Sequence, residues 1–256
     1  MHYQEYTPST DLIPYLDCYW TLRTGTLPMA SPRRVIPDIC TDVIFNLGEE
    51  VQIWNGKTHR LKPGKPYLIG TMTTFQDMLL PAGANLAGIR FKPFGLSTLL
   101  GIRQQGMANQ IQELDPTTFP WDYGFFQPSG IEPEPQADWK KINTLLRRHL
   151  HGKDNTLINN LVGTLLDIRG QIAVRELASQ YHTTERQLER KFGEHLGVPL
   201  KEICNLIRFQ YTYQLISHRE RQQSLLDIAF RAGYYDHAHL TRHFKRYAGH
   251  LPSRIG

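Results

Sequence analysis

Apolar and polar positions change period along this 256-residue chain. Over the first ninety or so residues the period is close to two, the mark of strands. Thr41-Asp-Val43-Ile-Phe45-Asn-Leu47 alternates Val43, Phe45 and Leu47 with Asp42, Ile44 and Asn46, and Gly48 ends the run. It predicts a strand. Val51-Gln-Ile-Trp54 followed by Asn55-Gly56 predicts a hairpin, because that dipeptide accepts the positive φ of a tight turn. Arg33–Asp38 leads into the first of these runs. Tyr15–Leu22 reads as a strand or a turn-rich buried segment. Tyr67–Gly70 after the Lys62-Pro63-Gly64 turn, Gln76–Leu80 and Leu86–Phe91 are further strands. Short strands at this spacing predict a β-sandwich or a barrel-like domain.

Beyond Pro93 the period lengthens. Phe94–Leu100 predicts a short helix stopped by Gly101, and Met107–Leu114 predicts a second. Residues 127–138 are Pro-rich and read as a linker. Trp139–His151 then places Ile142, Leu145, Leu146 and Leu150 on one helix face. That stripe could pair two chains, but packing against its own domain, 139–256, is the expectation. A further helix, capped by Asn155 or Thr156, carries Leu157, Ile158, Leu161, Val162, Leu165 and Leu166. The fold class expected is α+β. Residues 1–126 form a β-rich domain, 127–138 a linker, and 139–256 an all-α domain whose core is 155–256.

Within that all-α domain one pattern occurs twice. Val174, Leu177 and Ala178 match Leu225, Ile228 and Ala229 at an offset of 51, and Leu188, Arg190 and Phe192 match Leu240, Arg242 and Phe244 at 52. The middle of the second copy is therefore one residue longer. Two helices around a variable turn make a helix-turn-helix unit, and a repeat makes two. Gly233 suits the turn of copy two. In copy one His182 stands near that place, and His tolerates positive φ better than most residues. Thr184 is a reasonable N-cap for the second helix of its unit.

The second helices, about 184–192 and 236–245, are the ones whose chemistry matters. Leu188 and Phe192, or Leu240 and Phe244, point inward at i, i+4, and polar residues face out. Such a helix can sit on a core and lay its polar face in the DNA major groove. A single polar helix face is usually only solvated; duplication of the whole unit on a basic chain favours DNA. Arg186 and Arg190 are the expected base readers, because a guanidinium grips the guanine edge through two bonds. Glu189 could accept from cytosine. His239 and Arg242 are their counterparts in copy two. Thr184, His237 and Thr241 are expected in supporting roles on phosphates or bases, and Glu185 completes the set.

Charge agrees with this placement. Residues 1–128 hold 10 Lys and Arg against 11 Asp and Glu, whereas residues 129–256 hold 19 against 13. An excess of positive charge beside the repeat is the footprint of a phosphate-binding module. No run of eighteen apolar residues occurs, so no membrane association is expected. The N-terminus lacks the pattern of a signal peptide, and a cytoplasmic location is expected. Three scattered cysteines favour neither a disulfide framework nor a structural zinc site.

Residues 155–256 resemble the DNA-binding domain of AraC/XylS-type bacterial transcription regulators. The resemblance rests on Asp227-Ile-Ala-Phe-Arg-Ala-Gly233-Tyr234 and on Leu240-Thr-Arg-His-Phe244-Lys-Arg-Tyr-Ala-Gly249 with Pro252. Pro199–Ile203 through Ile207-Arg208-Phe209 to Leu215-Ile216 is similar to that family's long helix between its two units. His182, Thr212 and the Arg254-Ile-Gly256 ending depart from its pattern. Val35-Ile-Pro-Asp38, Val43-Ile-Phe45, Leu68-Ile-Gly70 and Gly88–Gly95 resemble a β-rich domain that precedes such units in poorly characterised regulators. The resemblance implies a sequence-specific regulator of transcription acting on double-stranded promoter or operator DNA. It implies RNA polymerase as a partner if the protein is an activator, and a small-molecule effector acting through the β-rich domain. A dimerisation or interaction domain without a ligand, and a catalytic or metal-binding barrel, are the alternatives for that half, and a homodimer is left open. Methyl-repair enzymes with such domains need a four-cysteine zinc site, which three cysteines cannot build. No enzyme activity, cofactor, metal ligand or effector-binding residue is assigned.

Overall fold

The computed structural model describes residues 1–27, 29, 31–115, 135–150, 156–218 and 224–255. Among the described residues ten strands form two antiparallel sheets. They are β1 (His2–Tyr6), β2 (Leu16–Arg23), β3 (Arg33–Val35), β4 (Thr41–Asn46), β5 (Val51–Trp54), β6 (Thr58–Leu61), β7 (Lys65–Ile69), β8 (Gln76–Leu79), β9 (Asn85–Phe91) and β10 (Ile111–Glu113). The larger sheet runs β1-β2-β9-β4-β7-β10 and the smaller β3-β8-β5-β6. The Asn55-Gly56 turn joins β5 to β6 with Trp54 opposite Thr58, and Gly56 takes φ 101° as that turn requires.

The larger sheet is buried on both faces. Trp20, Leu22, Ile44, Ile69 and Leu86 face the smaller sheet and meet Val51, Ile53, Leu61 and Met78. Tyr19, Val43, Phe45, Leu68, Ile89 and Phe91 face the other way, toward α1 (Gly95–Leu100) and α2 (Pro135–Arg147). The alternation in 41–47 therefore separates two apolar layers. Even Asn46 is fully buried, its amide donating to the carbonyls of Glu49 and Leu61 at 2.9 and 2.6 Å. Gly88 is there for Trp20: a Cβ at 88 would come within 2.1 Å of the indole ring.

Three expectations change. Met107–Leu114 is not a helix; Ile111–Glu113 is strand β10, paired with Tyr67–Ile69 of β7. An unpaired edge of backbone donors on β7 outweighs the weak helical pattern of so short a segment. The helix expected from Trp139 starts at Pro135, inside the stretch expected to be linker, while 127–134 and Asn155 lie outside the described residues. It packs on the β domain and not on the 139–256 domain expected of its stripe, because the outer apolar face of the larger sheet offers it a partner. Trp139, Ile142 and Leu146 are buried there, each contributing about 1.5–3 kcal/mol. Tyr19 stacks on Trp139 with ring centres 4.7 Å apart and donates its hydroxyl to Asn143 at 2.8 Å. Arg147 pairs with Asp11 at 2.6 Å.

The remaining elements among the described residues are helical: α3 (Thr156–Asp167), α4 (Val174–Gln180), α5 (Glu185–Leu196), α6 (Leu200–Ser217), α7 (Leu225–Arg231) and α8 (His237–Ala248), then a 3-10 turn at Pro252–Arg254. Leu177, Ala178, Leu188, Phe192, Ile228, Ala229, Leu240 and Phe244 share one core with Ile203, Leu206 and Phe209 of α6. The fully buried Thr212 is accommodated there because its hydroxyl donates to the Arg208 carbonyl at 2.7 Å. Phe94 of the β domain joins the same core. It holds a left-handed backbone (φ 65°), uncommon for an aromatic residue, and its ring meets Phe192 edge-on at 5.0 Å.

Candidate nucleic-acid interface

Both repeats fold as two helices around a turn, α4–α5 and α7–α8, with α6 between them. In the first turn His182 takes φ 48° and in the second Gly233 takes φ 74°. The next backbone amide reaches back across each turn, Thr183 to the Ala178 carbonyl and Tyr234 to that of Ala229, both at 2.9 Å. The N-caps are then Thr184 and Asp236. Thr183 thus corresponds to Tyr234 and Thr184 to Asp236, which identifies Tyr235 as the extra residue of copy two. Its side chain stands 85% exposed beside the N-terminus of α8.

Each cap closes on its own helix. The Thr184 hydroxyl accepts from the Gln187 amide at 3.2 Å, and Gln187 accepts from the Thr184 amide at 3.3 Å. Asp236 accepts from the amide of His239 at 2.6 Å. Leu188 and Phe192 in α5, and Leu240 and Phe244 in α8, turn inward as their spacing requires. The outer faces differ in what they leave free.

On α5, Thr184, Glu185, Arg186 and Arg190 are exposed. Arg186 makes no hydrogen bond or ion pair among the described residues, whereas Arg190 leans on Glu194 at 3.3 Å, one turn later. Glu189 is engaged elsewhere. Its carboxylate accepts from the Leu200 amide at 3.0 Å and so caps α6, a favourable place for negative charge. The sequence contains no sign of that, because it depends on how α5 meets the next helix.

On α8, His237 and Arg242 are exposed, and Lys245 continues the same side. Thr241 is half-buried, with its hydroxyl enclosed and unpaired among the described residues. His239 is also half-buried. Its ring lies edge-on to Tyr234 at 5.1 Å and to His243 at 4.7 Å, in a column that continues to Tyr247. Burial lowers the His243 pKa to about 4, with His239, Arg208, Arg246 and Arg242 adding to it, so that ring is neutral near pH 7. The column's edge contacts supply packing.

The β domain carries an open pocket of about 290 Å³ lined by Trp20, Ile44 and Met78 together with Arg34, Asp42 and Arg90. Several of its charges are paired. Arg90 lies 3.3 Å from Asp42 and 4.0 Å from Asp38, and the Trp20 indole donates to Asp42 at 2.8 Å. Burial raises the Asp38 pKa to about 6 in spite of Arg90. No group of three or more His, Cys, Asp or Glu able to hold a metal occurs among the described residues. No helix among them is long and apolar enough to cross a membrane.

Taken together, fold and interface define a class: a β-rich domain followed by a helical domain with two helix-turn-helix units on one connecting helix. Residues 177–255 match the family described as a helix-turn-helix domain, and residues 4–113 match a domain of unknown function (DUF6597). The HTH-type transcriptional activator RhaS of Klebsiella pneumoniae (strain 342) is 31% identical over 90 residues, 35% of this chain. Those residues span only 32% of RhaS. ToxT of Vibrio cholerae superposes with a TM-score of 0.50 over 92% of this chain and 96% of its own, at 11% identity. That likeness concerns the fold.

Proposed function

We propose that the protein is a sequence-specific transcription regulator that lays α5 and α8 in adjacent major-groove segments of double-stranded DNA. The observation that carries the reading is the repeated unit itself, with equivalent caps, equivalent buried positions and an exposed basic face on each second helix. Arg186, Arg190 and Arg242 read bases. Thr184, Glu185 and His237 sit at the N-terminal ends, where helix amides and side chains meet phosphates and base edges. Thr241 and His239 support the second helix from its half-buried side. RNA polymerase is a partner if regulation is positive, a sense in which the name of RhaS, an activator, is suggestive.

The β domain acts as the sensor. Its pocket sets charged groups such as Asp42 and Arg90 beside apolar side chains such as Trp20, Ile44 and Met78, and its volume lies near the lower end of small-molecule sites. The chain acts in the cytoplasm and not as an enzyme, as the relationship of its helical domain to regulators suggests.

Selection of duplexes from a random pool by the full chain tests this. Enrichment of a discrete element is expected, with affinity for it falling steeply with salt as phosphate counterions are released. Alanine at Arg186 or Arg242 should cost about 1–3 kcal/mol on the selected element and little on unrelated DNA. Recovery of unenriched sequence, or equal losses on both DNAs, would defeat the reading.

A further inference from the structure

The β domain touches both second helices at the same place. A helix leaves its last four carbonyls without partners, and a glycine cap satisfies only some of them. In α5 the Gly197 amide takes the Gly193 carbonyl, and in α8 the Gly249 amide takes that of Lys245, 52 positions on. The next carbonyl in each helix goes to the β domain. The backbone amide of Gln104 donates to Glu194 at 2.9 Å, and the hydroxyl of Thr74 donates to the equivalent Arg246 at 3.2 Å. One further carbonyl is taken in each, at positions that are not equivalent: the Gln104 side-chain amide donates to His195 at 2.9 Å, and Arg34 donates to Ala248, one place beyond the counterpart of His195, at 3.2 Å.

The donors are themselves held. Gln104 is 1% exposed and accepts from the Thr41 hydroxyl of β4 at 2.8 Å. Arg34 forms a two-bond pair with Asp77 at 2.9 Å and lies over the Phe75 ring at 4.1 Å. Both cap glycines are closely approached. A Cβ at 197 would come within 2.4 Å of the Gln104 carbonyl oxygen, and one at 249 within 2.5 Å of Phe75. The N-terminal ends of α5 and α8, with Arg186 and His237, stay exposed.

We infer that Gln104 and Arg34 are positioning residues for DNA recognition, fixing the disposition of α5 relative to α8 by capping both from one rigid domain. Helix α6 is one tie between the two units. The β domain is a second, and two ties close a ring around the core that both units share with α6. Adjacent major-groove segments are about 34 Å apart, so such a ring selects the spacing between two half-elements. This rests on the proposed reading of DNA by both units.

The test uses the full chain and the duplexes it selects from a random pool, remade with zero to four base pairs inserted between the half-elements. The wild-type chain should prefer one spacing. In Arg34→Ala and Gln104→Ala that preference should fall by roughly fivefold or more, the low end of coupling between sites. Arg34→Lys, which keeps a donor for Ala248, should restore much of it. A mere loss of stability would weaken every spacing alike, and melting curves report it separately. Arg34 is partly exposed, so its variants serve if the buried Gln104 cannot be replaced. An unchanged spacing preference in folded Arg34→Ala overturns the inference while leaving the proposed function intact. Failure to recover any two-part element overturns both.

Discussion

His182 and Gly233 hold the same left-handed backbone at equivalent points of two turns, with φ 48° and 74°. The conformation costs an ordinary L-residue about 1–2 kcal/mol and glycine almost nothing. His182→Gly should therefore stabilise the protein by about 0.5–1 kcal/mol, part of the relief being offset by the freer unfolded chain. Gly233→Ala should destabilise it by about 1–2 kcal/mol, since its Cβ would also come within 2.6 Å of the Gln171 side chain. Urea titrations decide the matter. Shifts of the same sign in both variants would end the equivalence of the turns.

Helix period alone sends Glu189 to DNA, yet its carboxylate caps α6 through the Leu200 amide. Glu189→Ala should cost about 1 kcal/mol of stability. Base preference at any position of the selected element should change little. A selected element that relaxes at one position, with melting unchanged, would return Glu189 to the DNA.

Asp38 and His243 should give opposite pH dependences over nearly the same window. Asp38 titrates at about 6, raised from 3.8, so the folded state holds its proton more tightly; stability from this group is greatest below about pH 4 and declines as pH rises to 6. His243 titrates at about 4, lowered from 6.5, so its contribution is present above pH 6.5 and is lost as pH falls toward 4. Asp38→Asn should make stability rise with pH more steeply than in the wild type between 4 and 6. His243→Phe should make it rise less, or fall. Melting temperatures across pH 4–7 report both slopes, and parallel curves for wild type and variants would contradict them.

Trp139 ties α2 to the β domain through Tyr19 and the layer beneath it. Trp139→Ala should cost about 3–5 kcal/mol. Hydrogen exchange should show lost protection in β2 and β9 before α3–α8. The reverse order would place α2 with the helical domain.

Much of the fold follows from local pattern. The hairpin at Asn55-Gly56, strands β4 and β9, helix α1 with its Gly101 stop, and both helix-turn-helix units are legible because each is specified by residues near one another in the chain. The one-residue excess of the second unit is visible as a change of offset from 51 to 52. Candidate readers such as Arg186 and Arg242 follow too, since a helix period assigns them to the face opposite Leu188 and Leu240.

What only the tertiary structure decided concerns groups whose partners are distant in the chain. Local periodicity could not show that both faces of β4 are buried, because covering the second face takes a helix beginning at Pro135. Ile111–Glu113 becomes a strand because β7 offers it an edge. Glu189 becomes a cap and His239 a packed ring because α5 and α8 each meet a neighbour there. The capping of Glu194 and Arg246 by one β domain depends on contacts 90 or more residues apart in sequence. Hydrophobic period reports which side of an element avoids water; the identity of what covers it is settled only when the unpaired carbonyls, amides and rings of separate segments find one another.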